Sequence, residues 1–503
     1  MSREGLLLGF DVGSSSIKAA LLDAATGRLV ASATSPEVEL GISAPKPGWA
    51  EQDPDIWWQH VVRSAGALRA KAGKRWGDVR AIGLSYQMHG LVALDRAGEP
   101  VRPAIIWCDS RAVQTGEAAF EALGRSVCLR RLLNSPGNFT ASRLAWVKAN
   151  EPAVFARIHS VMLPGDYVAF RMTGEIRTTV SGLSEFILWD FEREEPAGFV
   201  LEHFGIPRAM LPETVPTFAP QGVLTAAAGS ALGLAAGVPV SYRAGDQPNN
   251  AFSLAVLSPG EIAATAGTSG VVYGVAGTAA FDEFSRVNSF AHVTHAPDRP
   301  RIGVLLCVSG TGILYRWLRD VLGGTAGYEE LNAVAARAPA GADGLRVFPF
   351  GNGAERTLGN GNPGASIRGL DFNRHGLPHL LRAAQEGIVF ALRYGLGIMR
   401  GMGVVPVTAR VGQANLFLSP LFASTFATVT GCRVEMYATD GAQGAARGAG
   451  IGAGIYADPG EAFIGLAAVK TVEPDSALVE VYAEACGLWT EMLERALSER
   501  LTG

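Results

Sequence analysis

The chain has little cysteine. Five residues in 503 (Cys108, Cys128, Cys307, Cys432 and Cys486) are odd in number and lack CxxC spacing, which argues against a disulfide framework or a zinc ribbon and for free thiols in a reducing compartment. Long apolar runs are also missing: none approaches the ~20 residues a membrane span needs. The opening MSREGLLLGFDVG meets Asp11 too early for the apolar core of a secretory signal. A cytoplasmic location is therefore expected. Nor is there an excess of basic residues. Against 47 Asp and Glu stand 43 Lys and Arg, a formal charge of −4 that attracts neither nucleic acid nor an anionic membrane. The eight His show no metal-ligand spacing, and both HExxH and GxxxxGK[ST] are absent, so a zinc hydrolase and a P-loop are not expected. GNGNPG, at 359–364, matches GxGxxG but contains Pro363 and follows a polar stretch. A dinucleotide fingerprint needs a strand before it and a helix after it, so this match is read as a decoy.

Glycine is what the chain has in plenty, 62 residues without a period, which excludes collagen and implies many tight turns. The length exceeds one hydrophobic core. Near the start, LLLGFDVGSSSIKAALLD reads as strand, Gly/Ser turn, strand; about half a chain later, EIAATAGTSGVVYGV repeats the design. After the first hairpin GRLVAS extends the sheet. Helix DPDIWWQHVVRSAGALRA then has Asp53 as N-cap and Pro54 at its first position. The strand VRAIGLS ends at the polar loop YQMHG, and PAIIW ends at CDSRA.

After the second hairpin come the long helix at 376–403, the strand VTARVG, the helix LFASTFATVTG closed by Gly431, and the strand CRVEMY. Leu478, Tyr482, Ala485, Trp489, Met492 and Ala496 then recur at helical spacing, a packing stripe. The expectation is an α/β chain of two domains, 1–244 and 245–474, with a terminal helix at 475–503. Two Gly/Ser hairpins facing across a cleft would offer backbone N–H groups and hydroxyls to a polyphosphate.

Three loops, DVGSSSIKAALLD, GDQPNNA with ATAGTSG, and DGAQGAARGAGIGAGI, resemble the FGGY carbohydrate kinases of the sugar kinase, Hsp70 and actin superfamily, and the likeness runs nearly end to end. Within that family SYQMHGLVALD, PAIIWCDSRA and FPFGNGAERT are most similar to the xylulokinases. The resemblance implies two actin-like (ribonuclease H-like) domains around a central cleft. It also implies ATP and Mg²⁺ as cofactors, and transfer of the γ-phosphate to a primary hydroxyl of a ketose, D-xylulose foremost. The partners implied are a small sugar and MgATP, with no nucleic acid and no membrane; a homodimer is left open. The terminal helix is expected to return to the first domain. The alternatives are a kinase of the same family for ribulose, glycerol or another polyol, and a non-catalytic nucleotide-binding protein of the actin and Hsp70 type.

Carried over residue by residue, the resemblance implies that Asp246 is the general base, because a sugar hydroxyl is a poor nucleophile until a carboxylate takes its proton. A turn or N-cap Asp is the alternative there. Asp11, with Asp246, would hold Mg²⁺, or else be satisfied by hairpin N–H groups. Gly13, Ser14, Ser15, Ser16 and Lys18 would contact the phosphates, Lys18 being equally readable as a surface lysine. Gly267, Thr268 and Ser269 would form the opposite cradle. Gln87, Met88, His89, Trp107, Asp246 and Gln247 would line the sugar pocket. Gly310, Thr311, Gly412, Gln413 and Asn415 would sit on the nucleotide side. The chain departs from the pattern at Gln247-Pro248, where xylulokinases have Asn and small residues, and at Val411-Gly412-Gln413, where the family has three glycines.

Overall fold

The computed structural model describes residues 3–324 and 326–501. The chain divides into two compact units, one of Met1–Ala255, Phe290–Ile302 and Thr439–Leu466, the other of Val256–Ser289, Gly303–Ala438 and Ala467–Gly503.

Strands β1 (Leu6–Val12), β2 (Ile17–Asp23) and β3 (Leu29–Ser35) open the chain as an antiparallel meander. Helix α1 (Pro54–Ala72) begins as expected: Asp53 is extended and its carboxylate accepts from Asp55 N. Strand β4 (Val79–Tyr86) follows, then α2 (Val180–Phe186), and β5 (Val240–Gly245) runs straight into α3 (Asp246–Ser253). The second hairpin is β6 (Ile262–Ala266) and β7 (Gly270–Ala276), followed by β8 (Asn288–Ala291) and β9 (Ile302–Val308). Next come α4 (Gly312–Leu318), α5 (Leu377–Gly401), β10 (Thr408–Gly412), α6 (Pro420–Thr430) and β11 (Arg433–Tyr437). Gly431, at φ 72°, ends α6 in the left-handed conformation that glycine enters freely. Helix α7 (Gly441–Gly452) belongs to the first unit again, and β12 (Ala468–Val472) and α8 (Val479–Leu501) close the chain in the second.

Among the described residues, the first hairpin lies in a five-stranded sheet, β5-β4-β1-β2-β3, and the second in a seven-stranded one, β8-β9-β7-β6-β10-β11-β12. Both sheets add two parallel strands to the first strand of the hairpin: β4 then β5 on β1, β10 then β11 on β6.

Strand β1 is buried along nearly its whole length, the pattern of a strand covered on both faces. On one face lies α7, made mostly of glycine and alanine and itself almost wholly buried. Two strand glycines let it approach: a Cβ on Gly9 would lie 1.9 Å from the Ala442 carbonyl oxygen, and one on Gly83 2.0 Å from that of Ala445. Helix α3 is tied to the same helix by Asn249 Nδ2, which donates to the Gly441 carbonyl at 2.8 Å.

These contacts explain why the division differs from the expected one. The first unit keeps α3, so its first segment ends at Ala255 and not at 244, and it takes α7 from a part of the chain expected to lie in the second domain. The terminal helix, expected against the first domain, packs in the second unit. Fully buried Trp489 donates from Nε1 to the Val347 carbonyl at 2.9 Å and stacks on Phe348 at 4.9 Å, while Tyr482 Oη accepts from Arg382 at 2.7 Å. Within its stripe, Met492 is exposed and Leu493 is buried in its place, since the step from Trp489 is four residues.

The packing of α7 is testable. Gly83→Ala forces overpacking that costs about 1–3 kcal/mol and lowers Tm. Gly66→Ala, at an exposed position of α1 where a Cβ meets nothing within 4 Å, is expected to raise Tm, in line with a helix-interior gain of ~0.5–1 kcal/mol. Thermal unfolding of both variants checks the contrast.

Candidate active site

The ends of β1 and β4 lie side by side, with Asp11 in register with Ser85. Ser85 Oγ donates to Asp11 Oδ1 at 2.7 Å. Across the antiparallel ladder Asp11 faces Lys18, which is exposed. The first turn of α7, capped by Asp440 through the Gln443 N–H at 2.9 Å, comes so close that a Cβ on Gly441 would lie 2.6 Å from Asp11 Oδ2. Burial raises the Asp11 pKa, the Ser85 hydrogen bond and the Lys18 charge oppose it, and the Asp440 charge adds to it.

Asp246 is the first residue of α3, directly after β5, and Gly245 holds the cap position. Part of its surface stays accessible. Even so, burial, followed by the charge of Asp11, pushes its pKa up to about 7, against hydrogen bonds from the backbone and side chain of Gln247. The Gln247 amide is thus engaged with the carboxyl beside it.

The β1–β2 turn is closed by Gly13 N donating to the Ser16 carbonyl at 3.1 Å, and the Ser15 carbonyl accepts from Leu40 N at 2.8 Å. From this turn a polar chain runs to the 87–89 loop. Gln52 Nε2 donates to the Ser14 carbonyl at 2.7 Å, and Gln52 Oε1 accepts from Trp57 Nε1 at 3.1 Å and from Gln87 Nε2 at 3.5 Å. Gln87 N donates to the Val12 carbonyl at 2.9 Å. Gln87 Oε1 is buried and has no hydrogen-bond partner among the described residues. The half-exposed Trp107 donates from Nε1 to Ser14 Oγ at 3.2 Å. Met88 is buried against Gly245, where a Cβ would lie 2.6 Å from Met88 Cγ. His89 has a left-handed backbone, φ 61°.

In the second unit the hairpin turn 267–269 meets the start of α4. Gly312 N donates to the Gly267 carbonyl at 2.8 Å and Ile313 N to that of Thr268 at 3.2 Å. A cavity of about 840 Å³ opens beside them, lined by Gly267, Thr268 and Asn415 together with Tyr315, Tyr328 and Asn332 among others. Tyr315 Oη donates to Asn332 Oδ1 at 3.0 Å and accepts from Gln385 Nε2 at 2.8 Å. Ser269 turns its hydroxyl to the Cys307 thiol. Thr311 is fully buried and spends its hydroxyl on the Val308 carbonyl at 3.0 Å. A Cβ on Gly310 would lie 1.4 Å from the Pro349 carbonyl oxygen. Gly412 ends β10, and Gln413 N donates to the Tyr437 carbonyl at 2.9 Å while its side chain is exposed. None of Ser269, Gly310, Thr311, Gly412 and Gln413 lines the cavity.

Residues 6–253 match the N-terminal domain of the FGGY family of carbohydrate kinases, and residues 262–457 match its C-terminal domain. The chain belongs to the FGGY family of carbohydrate kinases. It is similar to the xylulose kinase of Escherichia coli (strain K12), 32% identical over 466 residues that cover 92% of each chain. It is also similar to that of Klebsiella pneumoniae, 30% identical over 488 residues covering 95% of this chain and 96% of the other. The crystal structure of a xylulose kinase from Rhodospirillum rubrum superposes with a TM-score of 0.89 at 26% identity, covering 97% of this chain and 98% of that one. A gluconate kinase from Lactobacillus acidophilus reaches 0.89 at 21% identity, with 98% of each chain covered, a likeness of fold.

Several residues of this candidate site in the FGGY kinase went unnoticed in the sequence. Ser85 is an ordinary strand-end serine until β4 pairs with β1. Arg143, in the helix Thr140–Asn150, is almost fully buried and donates to the carbonyls of both His89 and Trp107, the latter at 2.9 Å. Burial lowers its pKa to about 10. Glu185, near the end of α2, is buried beneath the 87–89 loop and accepts from His89 N at 3.1 Å. The EF dipeptide in SGLSEFILWD gave no signal, because only the fold brings α2 to the loop.

The raised pKa of Asp246 has a consequence for stability. Its carboxyl binds a proton more tightly in the folded chain, at about 7, than in the unfolded one, at ~3.9. Ionisation therefore destabilises the fold increasingly from pH 4 to pH 7, and by a constant amount above. Asp246→Asn, neutral throughout, is expected to raise Tm more at pH 8 than at pH 5 in metal-free buffer. Equal Tm differences at the two pH values would remove Asp246 from that environment.

Proposed function

We propose that this FGGY kinase transfers the γ-phosphate of ATP to the terminal primary hydroxyl of an open-chain ketose, D-xylulose in preference to others. The observation that carries the reading is the set of acceptors at the ends of β4 and β5. Asp246 has a pKa suited to general-base work at neutral pH, and Gln87 Oε1 is buried without a donor. A sugar hydroxyl supplies the donor that Gln87 Oε1 lacks, and a second gives its proton to Asp246. Asp246 accepts the proton of the attacking hydroxyl as its oxygen bonds to the γ-phosphorus, and the bond to the bridging β–γ oxygen breaks to release ADP. The full-length likeness to enzymes named xylulose kinase supports the choice of ketose. In the first unit the turn at 13–16 would take phosphate; in the second, the turn at 267–269 would take phosphate and the cavity beside Tyr315 and Tyr328 the adenosine.

Among the described residues no group of three or more His, Cys, Asp or Glu could hold a metal by itself. The donor set is Asp11 and Asp246, two desolvated carboxylates of which the first raises the pKa of the second. That suits Mg²⁺, which takes one or two carboxylates and completes its shell with water and phosphate oxygens. When bound, the ion neutralises charge on the β- and γ-phosphate oxygens.

Turnover of D-xylulose, ribulose and glycerol at fixed MgATP tests the reading. D-xylulose is expected to give the highest kcat/KM, since a pocket built to bind several hydroxyls rejects a shorter polyol by leaving buried polar groups unpaired. Asp246→Ala is expected to lower kcat by ~10²–10⁴-fold with nucleotide affinity kept. Glycerol turned over as well as D-xylulose would overturn the ketose; a variant keeping a tenth of kcat would overturn the base.

The Mg²⁺ site generates its own prediction. Asp11→Asn keeps the shape and removes a charge, so the Mg²⁺ concentration at half-maximal rate rises several-fold. An unchanged titration would make Asp11 a structural residue.

A further inference from the structure

Glu185 is a buried carboxyl that the phosphoryl transfer itself does not use. It is 1% exposed, and among the described residues no Lys or Arg lies within ion-pairing distance of it; the nearest cationic candidate is His89, with Nδ1 3.8 Å from Glu185 Oε2. Burial raises its pKa well above the ordinary carboxyl value, and the charges of Asp166 and Asp246 add to the rise, against hydrogen bonds from Tyr86 and His89 N. Burying a carboxyl without a cation is costly. Its neighbours show what the carboxyl holds. Tyr86 Oη, at the end of β4, donates to Glu185 Oε1 at 2.6 Å, and His89 N donates to Glu185 Oε2 at 3.1 Å. The fold makes room for the pair: a Cβ on Gly165 would lie 2.0 Å from the Tyr86 ring, and one on Gly245 3.3 Å from Glu185 Oε1.

His89 is held by other contacts as well. Its Nδ1 lies 3.1 Å from the backbone carbonyl of Glu185, and a carbonyl only accepts, so Nδ1 carries the proton. Its own carbonyl accepts from Thr140 Oγ1 at 3.0 Å and from Arg143. The ring meets Phe139 and Phe290 at centroid distances of 4.8 and 5.2 Å. A non-glycine residue at φ 61° is strained and persists where its surroundings over-determine it.

We propose that Glu185, braced by Tyr86, is a positioning residue for the sugar pocket: it fixes the His89 backbone in its left-handed conformation and, with its own carbonyl, sets the Nδ1–H tautomer of the imidazole that meets the acceptor. The proposal rests on the reading of the 87–89 loop as part of the acceptor site. In the neutral ring Nε2 is then the hydrogen-bond acceptor. With Gln87 Oε1 and Asp246, the loop presents oxygens and a nitrogen that select hydroxyl groups.

Glu185→Leu, Glu185→Gln and Tyr86→Phe of the full chain, assayed with D-xylulose and MgATP, test this. Imidazole ¹H–¹⁵N correlation spectra accompany the assays, with the His89 signals identified from His89→Gln. Wild type is expected to show a proton on His89 Nδ1. Glu185→Leu is expected to raise KM for D-xylulose at least tenfold and to leave KM for ATP within twofold; by releasing the His89 backbone that carries the ring to the residue 185 carbonyl, it is also expected to lose the Nδ1–H signature. Glu185→Gln can still accept from His89 N and donate to Tyr86 Oη, so it returns the sugar KM to within threefold of wild type. Tyr86→Phe raises that KM three- to tenfold, and carries the test by itself if Glu185→Leu does not fold. A sugar KM unchanged in both Glu185→Leu and Tyr86→Phe, equal rises in both KM values, or a wild-type His89 without the Nδ1 proton would overturn the proposal. If wild type does not phosphorylate D-xylulose the substrate reading fails, and the spectra still decide what Glu185 does.

Discussion

For Asp246 to serve as the proposed base near neutral pH its carboxyl must be kept from water, and the packing of the first unit bears on that requirement. Asp246 follows β5 directly, and Asp11, whose charge helps raise its pKa, lies under the first turn of α7. The burial of Asp11 depends on how closely α7 lies on β1 and β4, and that depends on Gly9 and Gly83, whose missing side chains admit the Ala442 and Ala445 carbonyls. The same approach brings Gly441 onto Asp11. Close packing of helix on sheet thus serves to set the electrostatics of two carboxyls. Their raised pKa values are part of what the chain gives up in stability to have them there.

The two sheets show one plan used twice. Each begins with a hairpin that turns through small residues, and each adds two parallel strands on the side of the hairpin's first strand. What differs is what surrounds the turns. In the first unit the neighbouring loops bring Gln87, His89 and Trp107 together through Gln52, Ser14 and Arg143. In the second, the turn is fastened to α4 by two backbone hydrogen bonds and borders an open cavity with two tyrosines. On the proposed reading, the first scaffold would take a small polyhydroxy molecule and the second a larger ligand with an aromatic ring.

Local chemistry was legible in the sequence and long-range assembly was not. Asp53-Pro54 starts α1, Gly431 ends α6, and both hairpins form around their Gly/Ser turns, because each of these features is decided within a few residues. Among the candidate site residues, Asp11, Gln87, His89 and Asp246 come together at strand ends, as the alternation of apolar strand and polar loop suggested. The allegiance of α7 and α8 was not legible, since an apolar or small-residue helix face does not name the sheet it covers. Nor was the role of Thr311, whose hydroxyl turns inward to Val308. Ser85, Arg143 and Glu185 escaped notice for the same reason: each acts on a residue between 36 and 96 positions away.

The first unit is drawn from three separated stretches of chain, the last of them Thr439–Leu466. A ribosome delivers residues in order, so β1 to β5 emerge long before the helix that covers them. Until α7 arrives, the buried face of β1, with Gly9 in its middle, has no partner from its own unit. The apolar strands must wait for residues that follow them far along the chain, and until then they form a surface for a chaperone to guard.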